Sequence, residues 1–152
     1  QDLLAYIQPV FIDLDMNTVE PAIGAHRMDK VYAWKSMLDM GIHTSGGSDA
    51  PVVSFDAMEN IYFAVTRKNI SGQPQEGWIP SEKMSVDEAV KLFTKNAAYA
   101  SYTEKENGTI ETGKNADLVV LEKDIYSIDP DEIKTVKVDM TVLGGKVVFE
   151  RE

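Results

Sequence analysis

The sequence of 152 residues contains no cysteine, which excludes a disulfide framework, a thiolate metal site and a cysteine nucleophile within this chain. Positive charge is also scarce, because 15 Lys and Arg stand against 25 Asp and Glu and give a formal net charge of -10. This charge repels phosphate backbones and anionic membrane surfaces. Nucleic acid and lipid head groups are therefore poor partner candidates.

Long apolar runs are missing as well. Leu118–Leu121 is typical of the longest ones, whereas a membrane-spanning helix needs roughly 18 residues. No basic-then-apolar secretory leader opens the chain, and together with the absence of cysteine this leads us to expect a cytoplasmic protein. The chain starts at Gln1 and runs at once into an apolar pattern, so we expect a piece of something longer.

The residues that are present predict a single core, since 43% of the chain is hydrophobic. Residues 3–12 form a nearly continuous apolar run, typical of a strand buried on both faces, and Pro9 marks where its hydrogen-bond ladder should end. A helix should follow and end at Gly41. Its apolar residues at helical spacing are Val31, Trp34 and Leu38.

Residues 42–45 are the next short strand candidate, and a helix with one apolar stripe follows it. The stripe consists of Met58, Ile61, Tyr62 and Val65. This alternation of strand and helix predicts parallel βα units from an open sheet or a barrel, and therefore an α/β fold. Residues 69–80 are rich in Ser, Gly, Gln and Pro and predict a surface loop that carries little of the core.

Ser85 and Glu88 have the spacing of a capping box and predict the start of a helix that continues to Ala100. The pattern then changes to that of an antiparallel β unit. Residues 116–121 form an apolar strand candidate, and a later segment alternates apolar and polar residues, with Val136, Val138, Met140 and Val142 as its apolar members.

Gly144 and Gly145 supply a two-residue hairpin turn from that segment into a last strand at residues 146–149. The acidic residues 129–132 lack the regular spacing of a calcium loop, so we interpret them as a solvated turn. The last third of the chain is thus predicted to be antiparallel, in contrast to the parallel first part.

Asp49 is the residue with the greatest chemical interest, because it lies in the sequence SGGSDAPV at the predicted C-terminal end of a parallel strand. Ligands of parallel α/β folds gather at that end, where a carboxylate can bind a metal or transfer a proton. Gly46 and Gly47 would allow a close approach of the backbone, and Pro51 would fix the turn. The competing interpretation is that Asp49 caps the next helix or turn, which spacing alone favours.

Five segments in order resemble the C-terminal portion of the amidohydrolase superfamily, in the branch with N-substituted formamide deformylase and exoenzyme regulatory proteins. They are GGSDAPV, NIYFAVTRK, SVDEAVKLFTKNAAYA, GTIETGKNADLVVLEKD and TVLGGKVVF, and the resemblance covers about residues 6–149. It implies a metal-containing (β/α)8 barrel with a small β-sandwich built from both chain ends. Residues 3–12 would be the seventh barrel strand and residues 42–48 the eighth.

The resemblance assigns to Asp49 the family's acid after the eighth strand, which binds the metal and shuttles a proton from water to the leaving group. The family's other ligands, a His-x-His pair, a bridging acid or modified Lys and two further histidines, have no counterpart here. Only His26 and His43 are available. His43 lies near the start of its strand, away from Asp49, and is interpreted as a packed or surface residue.

His26 and Arg27 are candidate substrate-binding residues, because they lie in the loop after the preceding strand, on the same end as Asp49. Arg27 matches a basic position of related proteins and could hold a carboxylate or carbonyl, although a salt bridge to a loop acid is an equal alternative. Three aromatic residues could line a pocket mouth, but at helical spacing core packing is the commoner role. They are Tyr32, Trp34 and Trp78.

We therefore expect residues 1–106 to form the last two βα units of the barrel and the following helix, and residues 107–152 to form sandwich strands. The parent protein would use a divalent metal to hydrolyse a carbon–nitrogen bond of an amide-like substrate. Zinc is the first candidate for that metal. The chain alone would bind no metal and lack activity. The alternative is a stand-alone, non-catalytic interaction or regulatory module. Exposed strand edges also predict a homo-oligomer, most simply a two-fold dimer.

Overall fold

The computed structural model describes residues 3–152 and contains two small sheets. The first pairs strand β1 (Leu4–Ile7) with strand β2 (His43–Gly46). The two strands run parallel, with Leu4 opposite His43 at one end and Ile7 opposite Gly46 at the other. Parallel neighbours need a long crossover between them, and 35 residues of helix and loop, 8–42, supply it here. The predicted parallel α/β arrangement is confirmed.

β1 is shorter than the apolar run that predicted it. The strand ends at Ile7, and the same run turns at Pro9 and enters helix α1 (Phe11–Asp15). The prediction of a strand over residues 3–12 is therefore wrong in its second half. A proline cannot donate to a ladder, and the buried Ile12 belongs to the helix. Apolar residues packed on a helix and on a buried strand look alike in so short a run.

Several of the remaining helices pack on β2, and one packs on the 3-10 helix that precedes the second strand of the antiparallel sheet. The α-helices are α2 (Val19–Ile23), α3 (Trp34–Asp39), α4 (Ala57–Thr66), α5 (Val86–Phe93) and α6 (Lys95–Ala100). Short 3-10 helices occupy Ala25–Lys30, Pro80–Glu82 and Pro130–Thr135. No helix within residues 3–152 combines the length and apolar character that crossing a membrane requires.

Helix α3 confirms the predicted stop but not the predicted start. Gly41 has a φ of +77° just after the helix, a conformation that glycine adopts without strain. The helix begins at Trp34, so Val31 lies outside it. Tyr32 adopts a positive φ of 46° and interrupts any helix through that position. Hydrophobic spacing located the helix but could not detect this backbone turn.

Helix α4 is buried on all sides rather than along one stripe. Residues 60–66 are all buried, including the polar Asn60 and Thr66. One side meets the core around α5, and another meets the 3-10 helix Pro130–Thr135 near the chain's end. Ile133, which is fully buried, belongs to that 3-10 helix. The core of the molecule therefore lies around α4.

The capping box before α5 is confirmed, but the helix does not run to Ala100. The Ser85 side chain accepts a hydrogen bond from the Glu88 N–H, and the Glu88 carboxylate accepts one from the Ser85 N–H. Thr94 then departs from helical geometry and separates α5 from α6. The Asn96 amide donates to the carbonyl of Thr44 on β2 at 2.9 Å. This contact across the fold binds α6 to the strand, and helical periodicity alone does not reveal it.

The second sheet is antiparallel, with the strand order β3 (Leu118–Leu121), β4 (Val138–Leu143) and β5 (Lys146–Glu150). β3 begins two residues later than predicted. The hairpin between β4 and β5 is confirmed: Gly144 and Gly145 have φ of +57° and +78°, the left-handed pair that a tight hairpin requires.

The acidic residues 129–132 are exposed, as expected of a solvated turn, and extend into the 3-10 helix Pro130–Thr135. Asp129 caps it, accepting a hydrogen bond from the Asp131 N–H. Asp131 in turn pairs with Lys68, which follows α4. The turn is thereby joined to the core region.

The loop over residues 69–80 was expected to lie at the surface and carry little of the core, and most of its residues are exposed, with Trp78 as the exception. Trp78 packs against the core cluster and Gly77 is buried. The Trp78 N–H donates to the Arg67 carbonyl, and the Arg67 Nε donates to the Trp78 carbonyl at 2.9 Å. The loop's polar composition hid this contact because a single tryptophan and backbone atoms make it.

Candidate active site

Asp49 lies three residues beyond the end of β2, at the C-terminal edge of the parallel pair. The pairing continues past the strand, since the Gly47 N–H donates to the Ile7 carbonyl at 2.9 Å. The chain then turns sharply. Asp49 itself has a φ of +59°, which non-glycine residues rarely adopt and aspartate tolerates better than most.

Hydrogen bonds of backbone atoms and of the Ser48 hydroxyl stabilise the turn at Asp49, and the Asp49 carboxylate takes no part in them. The Asp49 carbonyl accepts the Val52 N–H at 2.9 Å, and the Ser48 hydroxyl accepts the Ala50 N–H at 3.3 Å. Asp49 is exposed. Within residues 3–152 its carboxylate makes no hydrogen bond or ion pair, and it is therefore open to an external partner.

The competing interpretation was that Asp49 caps the next helix or turn, and it is wrong for the helix. Asp56 is the residue before α4, and its side chain accepts hydrogen bonds from the N–H groups of Met58 and Glu59. Aspartate is one of the preferred residues at this position because its oxygen satisfies free N–H groups of the first turn. The backbone of Asp49 does form part of a turn, but its side chain has no capping role in the described structure.

One of the two glycines before Asp49 is needed for a close approach. A Cβ on Gly46 would lie 2.7 Å from the ring of Phe93 on α5, which is too short for a real contact. A Cβ on Gly47 would meet no atom within 4 Å. The expectation of a close approach is thus correct for Gly46, where a helix side chain presses on the strand, and wrong for Gly47.

A buried asparagine that the sequence analysis did not identify positions the two loops at this edge. Asn60 on α4 accepts the Val10 N–H, in the turn after β1, at 3.2 Å. Its amide donates to the Asp56 carbonyl at 2.9 Å. Asn60 therefore couples the segment after β1 to the helix start after β2. The only signal in the sequence was a lone amide within an apolar helix.

His26 and Arg27 lie in the 3-10 helix Ala25–Lys30, in the segment after β1, and both are exposed. Arg27 Nε donates to His26 Nε2 at 3.3 Å. Within residues 3–152 neither residue makes an ion pair with an acid, so the salt-bridge alternative for Arg27 does not occur there. No hydrogen bond joins either residue to Asp49 in that part of the chain.

His43 is the first residue of β2, and its ring stacks on that of Tyr99 at a centroid distance of 4.2 Å. It is a packed surface residue, as predicted. Residues 3–152 contain no group of three or more His, Cys, Asp or Glu side chains that could hold a metal ion. These residues therefore do not fit a complete metal site, and Asp49 is a single candidate ligand.

The three aromatic residues considered for a pocket mouth surround a buried arginine instead. Arg67 is fully buried, 5.2 Å from the Trp34 ring centre and 5.5 Å from that of Trp78. Its Nη1 donates to the Tyr32 carbonyl at 3.0 Å. Burial lowers the pKa of Arg67 to about 10, although the charges of Glu82 and Tyr32 act against this shift. Trp34 is a buried core residue, and Tyr32 and Trp78 pack against the core partly buried. Trp78 also lines a groove of about 320 Å³ with Met16 and Pro74.

A small groove of about 240 Å³ lies between α1, the turn after β2 and α4. Its lining combines apolar side chains with carboxylates: Val10, Asp13, Leu14, Val53, Ser54, Glu59, Phe63 and Ile70. It includes none of the predicted site residues. A substrate pocket at Asp49 is therefore not enclosed by the described residues.

The molecule has a parallel strand pair with helices packed on it. The Asp49 carboxylate follows the C-terminal end of one strand and has no partner in the described structure. These features are typical of α/β folds whose functional sites lie at the C-terminal ends of the strands. A comparison with family profiles gives the particular group. The profile of the amidohydrolase family matches residues 2–149. The chain belongs to the amidohydrolase family.

Two relatives illustrate the similarity. YtcJ of Bacillus subtilis, which carries an amidohydrolase name, is 37% identical over 145 residues, 95% of this chain and 27% of the relative. N-substituted formamide deformylase of Arthrobacter pascens is 36% identical over 122 residues, 80% of this chain and 22% of the relative. The chain thus spans about a quarter of the length of these relatives.

A solved structure agrees on the fold. A metal-dependent hydrolase of Pyrococcus horikoshii superposes with a TM-score of 0.74 over 85% of this chain and 26% of that protein. The sequence identity is 21%, so this likeness concerns the fold alone.

Proposed function

We propose that this chain is the C-terminal portion of a metal-dependent hydrolase that cleaves a carbon–nitrogen bond in an amide-like substrate. The observation that carries the proposal is the exposed carboxylate of Asp49 beyond β2, without a partner in the described structure. Family membership supports it, and a relative is named for deformylation of N-substituted formamides. Asp49 is the catalytic residue of the proposal.

Asp49 would transfer a proton in this reaction. When water attacks the carbonyl carbon, a C–O bond forms, and the attacking water must lose a proton. The Asp49 carboxylate accepts it and then donates it to the leaving nitrogen as the C–N bond breaks. The carboxylate is regenerated and no oxidant or reductant is consumed.

We further propose that Asp49 is a ligand of a divalent metal, for which zinc is the first candidate. A bound metal of this kind lowers the pKa of its water and polarises the substrate carbonyl. Because residues 3–152 supply no cluster of three donors, the remaining ligands would come from outside this chain. The chain alone is then inactive, and its own contribution is the placement of the Asp49 carboxylate.

Arg27 and His26 are the proposed substrate-binding residues. Both are exposed in the segment that follows β1, and Arg27 is free of acidic partners in the described structure. We infer that this segment lies on the edge of Asp49, because it leaves the sheet at the C-terminal end of β1. A guanidinium binds a carboxylate or a carbonyl through paired N–H groups. The substrate class is therefore an amide that carries such an oxygen near the scissile bond.

The proposed architecture places residues 1–106 in the last two βα units of a (β/α)8 barrel, with the helix that follows, and residues 107–152 in a β-sandwich. The two-stranded sheet supports the first assignment, because β1 and β2 each have one edge without a neighbour in the described structure. The exposed faces of the second sheet support the other. We also propose a cytoplasmic homo-oligomer with no nucleic-acid or membrane partner.

The alternative function is a stand-alone, non-catalytic interaction or regulatory module. The missing metal-ligand set in residues 3–152 is the observation that favours it. The gene distinguishes the two proposals. A His-x-His motif on a predicted strand upstream of Gln1 supports the hydrolase, whereas its absence supports the module.

The experiment is Asp49→Asn in the full-length protein, assayed on a panel of N-substituted formamides and simple amides. Asparagine tolerates the positive φ of this position but cannot accept the proton, so turnover should fall by a factor on the order of 10²–10⁴. Asp56→Asn is the matched control, because asparagine caps a helix as well as aspartate does. It should keep its turnover.

Circular dichroism and metal content are measured on both variants. If Asp49→Asn keeps more than about a third of the wild-type rate, the proton-transfer role is wrong. The same holds if Asp56→Asn loses as much activity, since the loss would then follow from the altered loop. Failure of the wild-type protein to hydrolyse any member of the panel would favour the non-catalytic alternative.

A further inference from the structure

Asn60 is a buried polar residue of α4, with 1% of its surface exposed. Asparagine is a weak helix former, and a buried amide is unfavourable unless hydrogen bonds satisfy its donor and its acceptor. Both are satisfied here, because Oδ1 accepts the Val10 N–H at 3.2 Å and Nδ2 donates to the Asp56 carbonyl at 2.9 Å. The side chain therefore makes two specific contacts in a helix whose other buried residues are mostly apolar.

The two contacts of Asn60 differ in how far they depend on its side chain. The Asp56 carbonyl also accepts the backbone N–H of Asn60 at 3.3 Å, so it keeps a donor when the side chain is changed. Val10 is buried, and its N–H donates to the Asn60 side chain from a distant part of the chain. A buried N–H that loses its acceptor is unfavourable. The bond between Val10 and Asn60 is therefore the contact that a substitution at position 60 breaks.

The loop that carries Asp49 is fixed at both ends against the C-terminal end of β1. At its start the Gly47 N–H donates to the Ile7 carbonyl at 2.9 Å. At its other end Asp56 is the N-cap of α4, and Asn60 joins that helix start to the turn after β1. Between these two points most of the loop is exposed. A shift of the start of α4 relative to β1 would therefore displace the loop.

We propose that Asn60 is a positioning residue for proton transfer by Asp49. Its bond to the Val10 N–H fixes the start of α4 against the end of β1, and this fixes the place of the Asp49 carboxylate at that edge. The role rests on the proposed hydrolase function and adds to it a residue that does not touch the reacting atoms. The carboxylate must lie within hydrogen-bond reach of the water and of the leaving nitrogen, and a displacement of about 1 Å can lower turnover on the order of 10²-fold.

The experiment is a double-mutant cycle of Asn60→Leu and Asp49→Asn in the full-length protein, assayed on the same panel of N-substituted formamides and simple amides. Leucine keeps the branched shape but can neither accept nor donate a hydrogen bond. Asn60→Leu should lower kcat and kcat/KM together by roughly 10- to 100-fold, because the lost contact acts on the transition state. Asn60→Ala is measured in parallel, since it removes the same groups without added volume.

The second arm of the cycle separates positioning from a general structural effect. In the Asp49→Asn protein, Asn60→Leu should change kcat by less than about twofold, because a residue that acts through the Asp49 carboxylate has no proton acceptor left to position. A substitution that merely disturbs the fold would lower the residual rate by the same factor in both backgrounds.

Thr66→Val is the matched control, because Thr66 is a buried polar residue at the other end of the same helix. Its hydroxyl donates to the Tyr62 carbonyl at 2.8 Å and accepts the Lys68 N–H at 3.2 Å. Valine keeps the shape and removes both bonds. Thr66→Val should lose stability in urea unfolding but keep its kcat, and the folded fraction of every variant is measured by circular dichroism.

Three results overturn the positioning role and leave the role of Asp49 intact. They are a wild-type kcat in both Asn60 variants, an equal loss with and without Asp49→Asn, and an equal loss of kcat in Thr66→Val. Two other results overturn the proposed function and the positioning role with it. They are an undiminished rate in Asp49→Asn alone and a wild-type protein that hydrolyses no member of the panel.

Discussion

The parallel part of the molecule, residues 3–106, and the antiparallel part, residues 107–152, differ in what covers their strands. Helices α3, α5 and α6 pack on β2, and most of the buried core residues lie in this first part. The second sheet has exposed apolar residues on both faces, and β5 is exposed along its whole length. Three buried residues of the second part join the core, namely Ile125, Ile133 and Val136, and Leu121 and Ile128 pack against it partly buried.

The difference teaches that strand formation and strand burial have separate causes in this chain. The glycine pair and the alternating residues specify the hairpin of β4 and β5 locally. Its stability depends on contacts elsewhere, because a small isolated sheet is marginal in water. Within the described structure the second part is anchored to the first through Ile133 and its neighbours.

The largest expected change in stability comes from removing the packing contact between Ile133 and the first part. Ile133 is fully buried against α4 although it belongs to the second part. Ile133→Ala should lower the free energy of unfolding by about 2 to 5 kcal/mol. Urea unfolding measures the change, and hydrogen exchange should show reduced protection in α4 as well as in the second sheet.

Val148→Ala is the control for this measurement, because Val148 is 58% exposed on β5. It should change the stability by no more than about 0.5 kcal/mol when measured at concentrations where the protein is monomeric. Equal effects of the two substitutions would show that the second part does not depend on its contact with the core, and the comparison would be wrong.

A smaller effect is expected at the buried arginine of the first part. Arg67→Met removes the donors to the carbonyls of Tyr32 and Trp78 and leaves both partly buried acceptors without them. Methionine restores most of the volume and removes the cost of burying a charge, which one unsatisfied nitrogen makes larger. We expect a net loss of about 2 kcal/mol in unfolding free energy.

Arg27→Met is the matched control, since Arg27 is exposed and its removal should leave stability unchanged. Thermal and urea unfolding both measure the difference. An Arg67→Met protein as stable as wild type would indicate that the buried charge has no net stabilising role and that the aromatic side chains around it pack equally well without it.

A third expectation concerns the capping box of α5. Ser85→Ala removes the acceptor for the Glu88 N–H and should cost about 1 kcal/mol. Ser85→Asn keeps a capping side chain and should recover most of the loss. Equal stabilities of wild type and Ser85→Ala in urea unfolding would mean that the helix start is determined by packing alone.

The smallest expected effect is the contribution of the same capping box to the pH dependence of stability. Partial burial acts to raise the pKa of Glu88, but hydrogen bonds from the Ser85 N–H and hydroxyl and the Lys35 ammonium outweigh it and lower the pKa below 4.5. A lowered pKa in the folded state stabilises above the unfolded value, and this stabilisation is lost as pH falls through the folded pKa. Glu88→Gln should therefore flatten the acid limb of stability against pH. An unchanged acid limb would contradict this.

Local chemistry was sufficient for several elements of the fold. The capping box at Ser85, the helix stop at Gly41 and the hairpin at Gly144 and Gly145 are all as predicted. Each depends on groups within a few residues of one another, and such groups adopt the same geometry whatever surrounds them. The position of Asp49 past a parallel strand was predicted in the same way, from the βα alternation.

Tertiary contacts decided the rest. β1 stops at Ile7 because its apolar continuation packs as a helix, and α5 ends at Thr94 where Asn96 binds β2 across the fold. The burial of Arg67 among three aromatic residues depends on segments far apart in the chain. The sequence by itself determined where turns and caps form, because those interactions are local. The tertiary structure decided which apolar residues lie in a strand, in a helix or on the exposed surface. That outcome depends on packing contacts between distant segments, which spacing along the chain does not reveal.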